Sequence, residues 1–123
     1  MKRIKYIFAD MDGVLTDGTV RIDEKGRESK TICFRDLDAI GIGRRGGIEF
    51  AFVTGEDTPI AHFMASRFGV DIAVFGAKDK KAALEQLCVQ LGLTVDEICY
   101  IGDAARDVEC AERAGIRGTL YEG

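Results

Sequence analysis

The chain has 123 residues, 46% hydrophobic and 31% charged, which suits one soluble globular domain that buries roughly two-thirds of its unfolded surface. Its net charge of -4 supplies no basic field to recruit nucleic acid or an anionic membrane surface. It contains no apolar run long enough to span a bilayer and opens on no signal-peptide pattern, so the cytoplasm is the expected location.

Residues 4–8 form a short apolar run that reads as a buried strand. It leads directly into Ala9-Asp10-Met11-Asp12-Gly13-Val14-Leu15-Thr16-Asp17-Gly18. Side chains two residues apart on a strand point the same way, so Asp10 and Asp12 repel unless a cation or a proton lies between them. A hard divalent cation is the natural remedy, and Mg2+ favours one or two carboxylates plus substrate phosphate. Gly13 lets the backbone come close to whatever is bound. An ordinary Asp-Gly turn is the alternative, but such a turn needs no acidic pair directly after a core strand.

Residues 19–23 alternate, 24–27 read as a turn, and 30–34 alternate again, which predicts a β-hairpin between the first strand and its helix. The alternation puts Val20 and Ile22 on one face of the first strand, and Ile32 and Phe34 on one face of the second. Such a ribbon is marginal alone and needs something to pack on. Residues 35–45 read as a helix with Leu37, Ile40 and Ile42 inward, weakened by Gly41 and Gly43 and stopped at Gly46-Gly47.

A second strand over 48–53 ends at Thr54-Gly55. Asp57 or Thr58 caps the next helix, with Pro59 in its first turn; its apolar face is Ile60, Phe63, Met64 and Phe68, and Gly69 ends it. A third strand over 71–75 precedes Gly76-Ala77-Lys78-Asp79-Lys80. Leu84, Leu87, Cys88 and Leu91 recur at helical spacing until Gly92 stops them. A fourth strand within 96–101 leads to Gly102-Asp103, a helix covers 104–114, and a fifth strand covers 116–121.

Strands alternating with helices predict an α/β fold, a doubly wound (Rossmann-like) parallel sheet of about five strands with the hairpin inserted, in one domain over residues 1–123. Ligands of such folds bind beyond the carboxyl ends of the strands. Asp10, Asp12, Thr54, the 78–80 loop and Asp103 all fall at strand ends, and that convergence is the main functional signal. Cys33, Cys88, Cys99 and Cys110 are widely spaced without a Cys-x-x-Cys pair, which argues against zinc or a disulfide framework and predicts buried free thiols. His62, the sole histidine, falls in a helix, where a surface or packing role is expected.

Asp10-x-Asp12-Gly13-Val14-Leu15-Thr16-Asp17-Gly18 resembles the first motif of the haloacid dehalogenase (HAD) superfamily of phosphatases. The Leu-Thr-Asp-Gly continuation is similar to its small capless branch, the 3-deoxy-octulosonate and sialic-acid-type phosphate phosphatases. Thr54 in Val-Thr-Gly, Lys80 in Lys-Asp-Lys, and Gly102-Asp103-Ala104-Ala105-Arg106-Asp107 match the second, third and fourth motifs in order. The resemblance implies a HAD-like fold and a Mg2+-dependent phosphomonoesterase working through an aspartyl phosphate on a small phosphorylated substrate, a sugar or ulosonate phosphate.

By that resemblance Asp10 is the nucleophile and a metal ligand, and Asp12 is the general acid and base, with its main-chain carbonyl on the metal. Thr54 and Gly55 bind phosphate, and Lys80 neutralises phosphate and nucleophile, with Lys78 as its rival. Asp103 is a metal ligand, and Asp107 orients Lys80 or a metal-bound water. Each part suits the chemistry: a carboxylate nucleophile divides a very slow hydrolysis into two easier steps, a cation neutralises charge, and fixed donors hold the phosphoryl oxygens. Taken singly, the lysines also fit a solvated helix start, and Asp103 a helix N-cap. The resemblance further implies a homotetramer that the hairpin helps to build, with neighbouring subunits closing the open sites.

Departures from the pattern touch substrate more than catalysis. Glu56 follows Thr54-Gly55 where the sugar-phosphate phosphatases usually have arginine, Ala104 follows Asp103 where a second aspartate is frequent, and Leu37 or Ala39 stands where glycine is usual, leaving Asp36 and Asp38 as ambiguous matches. The chain also ends just after the fifth strand, without the longer tail of that branch. Two other classes share the composition. A phospho-signalling receiver domain needs an acceptor aspartate on a second central strand, where Val53 instead leads into Thr54. A non-catalytic module that keeps the fold has no need of the full Asp10, Asp12, Thr54, Lys80 and Asp103 set.

Overall fold

A computed structural model describes residues 3–121, except for the side chain of Phe34. Five parallel strands form the sheet: β1 (Tyr6–Ala9), β4 (Glu49–Val53), β5 (Ile72–Val74), β6 (Ile98–Gly102) and β7 (Arg117–Leu120). Their order is β5-β4-β1-β6-β7. β1 is therefore central, with Phe8 level with Ala51 on one side and Tyr100 on the other. The chain first winds outward from β1 to β4 and β5, then returns to β6 and β7 on the other side. That reversal opens a crevice beyond the carboxyl ends of β1 and β6.

Four helices cover the sheet: α1 (Phe34–Arg45), α2 (Pro59–Arg67), α3 (Lys80–Leu91) and α4 (Ala105–Arg113). The period-two geometry of the strands sorts their side chains into two cores. Phe8, Ala51, Val53, Ile98 and Tyr100 pack with Leu84 and Leu87 of α3 and Ala111 of α4. Ala9 and Phe52, one residue out of phase, pack with Ile40 of α1 and Ala61, Met64 and Phe68 around α2. Both faces being buried explains why the strands read as continuous apolar runs. Leu84 is fully buried, and its truncation to alanine costs about 2–5 kcal/mol at a site of that kind.

The helix boundaries follow local chemistry. Thr58 caps α2 by accepting from the Ala61 amide, with Pro59 at the first helical position. Asp79 caps α3 by accepting from the Ala82 amide. Gly92 ends α3 at φ +66°, a left-handed position that few other residues adopt. No helix among the described residues is long and apolar enough to cross a membrane.

Several expectations are corrected. The hairpin is present between β1 and α1, but its strands are short: β2 (Arg21–Ile22) pairs antiparallel with β3 (Glu28–Ser29). The run 30–34 is not a strand, because Lys30 turns into the crevice and the Cys33 carbonyl already accepts the Asp36 amide at the start of α1. Ile32 packs on the second core, whereas the side chain of Phe34, expected beside it, lies outside the described residues. Phe63 is 74% exposed and Ile42 61% exposed, so neither joins its helix's buried stripe. On α2 that stripe is Ala61, Met64 and Ala65, one position out of phase with Phe63. All four cysteines are free thiols, but Cys33 is exposed and the other three are only half-buried. His62 is exposed, stacked on Phe75 at 3.7 Å between ring centroids and 2.7 Å from Asp57 through Nε2.

Candidate active site

Asp10 sits at the exit of the central strand, where its amide donates to the Ile101 carbonyl of β6 at 3.0 Å. Its carboxylate is buried. Oδ1 accepts the Met11 amide at 2.8 Å, and Oδ2 lies 3.1 Å from Nζ of Lys80. Burial pushes the Asp10 carboxyl above the usual carboxylate range; the Lys80 ammonium and the Met11 amide oppose that without cancelling it, and the nearby Asp107 charge adds to it. Lys80 is itself buried at the first position of α3, and its Nζ also reaches Asp107 Oδ2 at 3.1 Å. Lys78 points elsewhere, onto the Gly55 carbonyl at 2.7 Å, and is exposed.

The loop after Asp10 turns sharply, the Leu15 amide reaching back to the Met11 carbonyl at 2.8 Å. Gly13 is in the left-handed region at φ +78°, and a Cβ there would lie 1.8 Å from Asp103 Oδ2. The Asp103 carboxylate thus occupies space that only glycine leaves open. Asp103 is not the N-cap of α4: that position belongs to Ala104, which makes no side-chain cap bond. Asp10, Asp103 and Asp107 instead bring one carboxylate oxygen each to within 4.8 Å of one another. Three carboxylates around the single Lys80 ammonium leave negative charge in excess. The donors are all hard oxygens, which fits Mg2+ and not a thiolate-seeking or imidazole-seeking metal.

Asp12 does not join that trio. Both of its carboxylate oxygens accept from Nζ of Lys30 at 2.9 Å, and Thr16 Oγ1 donates to Oδ1 at 3.3 Å. Lys30 also donates to Glu56 Oε2 at 2.8 Å. The two aspartates thus face two different ammonium groups, Asp10 that of Lys80 and Asp12 that of Lys30. Thr16 also accepts the amides of Gly13 and Gly18 at 3.3 and 3.1 Å, and so braces the loop.

Thr54 is buried at the end of β4, fixed by its amide on the Val74 carbonyl and by its carbonyl under the Ala77 amide, at 2.9 and 2.8 Å. Its hydroxyl accepts the Glu56 amide at 3.2 Å, which leaves the hydroxyl proton for an anion. Gly55 follows, half-buried beside Lys78 and Ala77. Below the acidic trio, Tyr100 is fully buried and its hydroxyl has no hydrogen-bond partner. Burial, then the charges of Asp10, Asp107 and Asp103, keep its phenol neutral well beyond the usual range.

Lys30 and Thr16 were not among the residues expected at the site. A signal for Lys30 existed: it shares its parity with Ile32, the residue that alternation turned inward.

The model of the haloacid dehalogenase-like hydrolases matches residues 35–115. The 3-deoxy-D-manno-octulosonate 8-phosphate phosphatase KdsC of Haemophilus influenzae is 31% identical over 115 residues, covering 94% of this chain and 64% of that one. Its counterpart in Escherichia coli K12 is 27% identical, covering 94% and 61%. The chain thus spans less than two-thirds of these curated relatives. Among solved structures, the 3-deoxy-D-manno-octulosonate 8-phosphate phosphatase of Moraxella catarrhalis, in complex with magnesium, phosphate and KDO, superposes with a TM-score of 0.82 at 30% identity, over 91% of this chain and 64% of that one. A probable YrbI family phosphatase of Pseudomonas syringae gives 0.84 at 33% identity, over 93% and 65%. With the acidic strand end, the buried lysine and the acidic helix start in the order of the family's motifs, the chain belongs to the haloacid dehalogenase-like hydrolases.

Proposed function

We propose that residues 1–123 form a single hydrolase domain, a phosphomonoesterase that uses Asp10 as nucleophile and Mg2+ as cofactor. Its substrate is a sugar or ulosonate phosphate such as 3-deoxy-D-manno-octulosonate 8-phosphate. The observation that carries this reading is the buried Asp10 carboxylate at the end of the central strand, paired with Lys80 and grouped with Asp103 and Asp107. The substrate class is supported by relatives that are phosphatases of one ulosonate phosphate, one of them bound to magnesium, phosphate and KDO.

Asp10 attacks phosphorus, the ester P–O bond breaks, and the leaving oxygen takes a proton from Asp12. Asp12, now ionised, then accepts a proton from the water that attacks the aspartyl phosphate, which releases phosphate, frees the Asp10 carboxylate and returns Asp12 to its acid form. Lys80 and the Thr54 hydroxyl, with the Gly55 amide, hold phosphoryl oxygens and offset the charge that builds on them. Asp10, Asp103 and the Asp12 carbonyl would hold Mg2+, with Asp107 beside Lys80. When bound, the cation neutralises the phosphoryl charge that otherwise keeps one anion from attacking another. Val20 and Ile22 on the hairpin form the contact of a homotetramer.

The test is a panel of sugar and ulosonate phosphates assayed for phosphate release with Mg2+. Turnover of an ulosonate phosphate well above generic sugar phosphates supports the substrate class. Absence of Mg2+-dependent release from every ester, including activated ones, overturns the reading.

A further inference from the structure

The hairpin is the part of the fold that the chemistry above leaves idle. β2 and β3 are exposed along their length. Just past β3, however, the chain drives Lys30 into the crevice until its side chain is only 5% exposed. All three ammonium hydrogens are engaged there, two on the Asp12 oxygens at 2.9 Å and one on Glu56 Oε2 at 2.8 Å. The ammonium is covered while its partners are not, Asp12 being 30% and Glu56 42% exposed, so the lysine is held in one place against carboxylates that still face the crevice.

Granting that Asp12 is the acid, we propose that Lys30 is a positioning residue: from the hairpin it sets the orientation of the Asp12 carboxylate, and Glu56 holds Lys30 in place. Asp12's other side-chain contact is the Thr16 hydroxyl, at 3.3 Å and on one oxygen. That bond alone does not fix the plane of a carboxylate. Two donors from one nitrogen do, and they keep Asp12 apart from the trio of Asp10, Asp103 and Asp107. Without Lys30, the Asp12 carboxylate is free to turn toward whatever cation the trio attracts, and away from the leaving oxygen. Glu56 adds the third anchor from the loop after β4, so Lys30 joins three segments of the chain at one point. The hairpin's placement is then coupled to proton transfer, although none of its paired residues touches the reacting atoms.

The experiment compares the unmodified protein with K30M, K30R, D12N and the double variant K30M/D12N, with Mg2+ present. Phenyl phosphate and p-nitrophenyl phosphate serve as probes, since the second leaves readily without a proton. K30M is expected to lose about tenfold or more in kcat on phenyl phosphate and under about threefold on p-nitrophenyl phosphate, a share of the roughly 10²–10⁴-fold that acid–base catalysis supplies. K30R, which keeps a cation, recovers part of the loss. In the D12N background K30M should add no further loss, because the effect runs through Asp12. Equal losses on the two esters, or the same loss with and without Asp12, overturn the proposal. If K30M does not fold by circular dichroism, K30Q takes its place under the same criteria. An unmodified protein that hydrolyses neither ester overturns the phosphatase reading itself, and this inference with it.

Discussion

At the scale of single residues, the problem posed by Asp10 and Asp12 is repulsion between neighbouring carboxylates, and the fold answers it asymmetrically. Asp10, the buried member of the acidic trio, pairs with Lys80, and Asp12 pairs with Lys30 at the crevice wall. The two substitutions to asparagine should therefore fail differently. D10N keeps the shape and removes the nucleophile, so turnover of every ester should vanish; substantial turnover by a purified variant, with deamidation excluded by mass spectrometry, would sink the assignment. D12N should retain slow phosphoryl transfer from an activated ester, measured as a burst of nitrophenol, while ordinary esters stand. Gly13 offers a third test. An alanine there faces a left-handed backbone cost of roughly 1–2 kcal/mol. Its Cβ would also meet Asp103 Oδ2 at 1.8 Å. G13A should melt at a lower temperature and need more Mg2+ for half-maximal activity; an unchanged Mg2+ requirement would show that the spacing of Asp103 does not matter to the metal.

At the scale of elements, features settled within a turn of the chain were legible and those settled by distant partners were not. The helix of Leu84 and Leu87 and the caps at Thr58 and Gly92 were legible because their causes lie within a turn of the residue concerned. Lys30 was not placed at the site because its partners come from 18 and 26 residues away. The expected strand over 30–34 failed for the same reason: alternation was present, but a tertiary ion pair used it. The turn before β6 is another local device with a long-range link. Over Val95–Glu97 the Glu97 carboxylate accepts from the Thr94 amide and hydroxyl at 3.0 and 2.9 Å, and meets Lys5 Nζ at 2.6 Å, tying the start of β6 to the start of β1. The Lys5 and Thr94 hydrogen bonds hold its carboxyl down to about 2, from 4.5. A depressed native value means that the stabilisation is fully present above pH 4.5 and is lost as pH falls toward 2. Urea midpoints of the unmodified protein and E97Q should differ most near neutrality and converge through that window. A gap that stays constant with pH would assign the effect to hydrogen-bond shape and not to charge.

At the scale of the whole molecule, the winding order was legible because strands and helices alternate and crossovers are right-handed. The convergence of Asp10, Thr54, Lys80 and Asp103 followed from that winding alone, since each residue ends or follows a strand that the sheet brings to one edge. How the ribbon is covered was not legible, because a hairpin's outer face looks the same whether it meets solvent or another subunit. The structure divides the expected patch: Ile32 packs on the second core, while Val20 and Ile22 remain 43% and 60% exposed. Two apolar side chains on a two-stranded ribbon with no second layer are the mark of a contact surface. A homotetramer joined there would place neighbouring subunits over crevices that no described element of this chain caps. V20E/I22E should disperse the assembly in light scattering, and should reduce turnover of the preferred sugar phosphate more than that of p-nitrophenyl phosphate, which makes few contacts beyond its phosphoryl group. An unmodified protein that is a stable monomer at micromolar concentration removes the assembly claim and leaves the phosphatase reading in place, since Asp10, Lys80 and Asp103 all come from one chain.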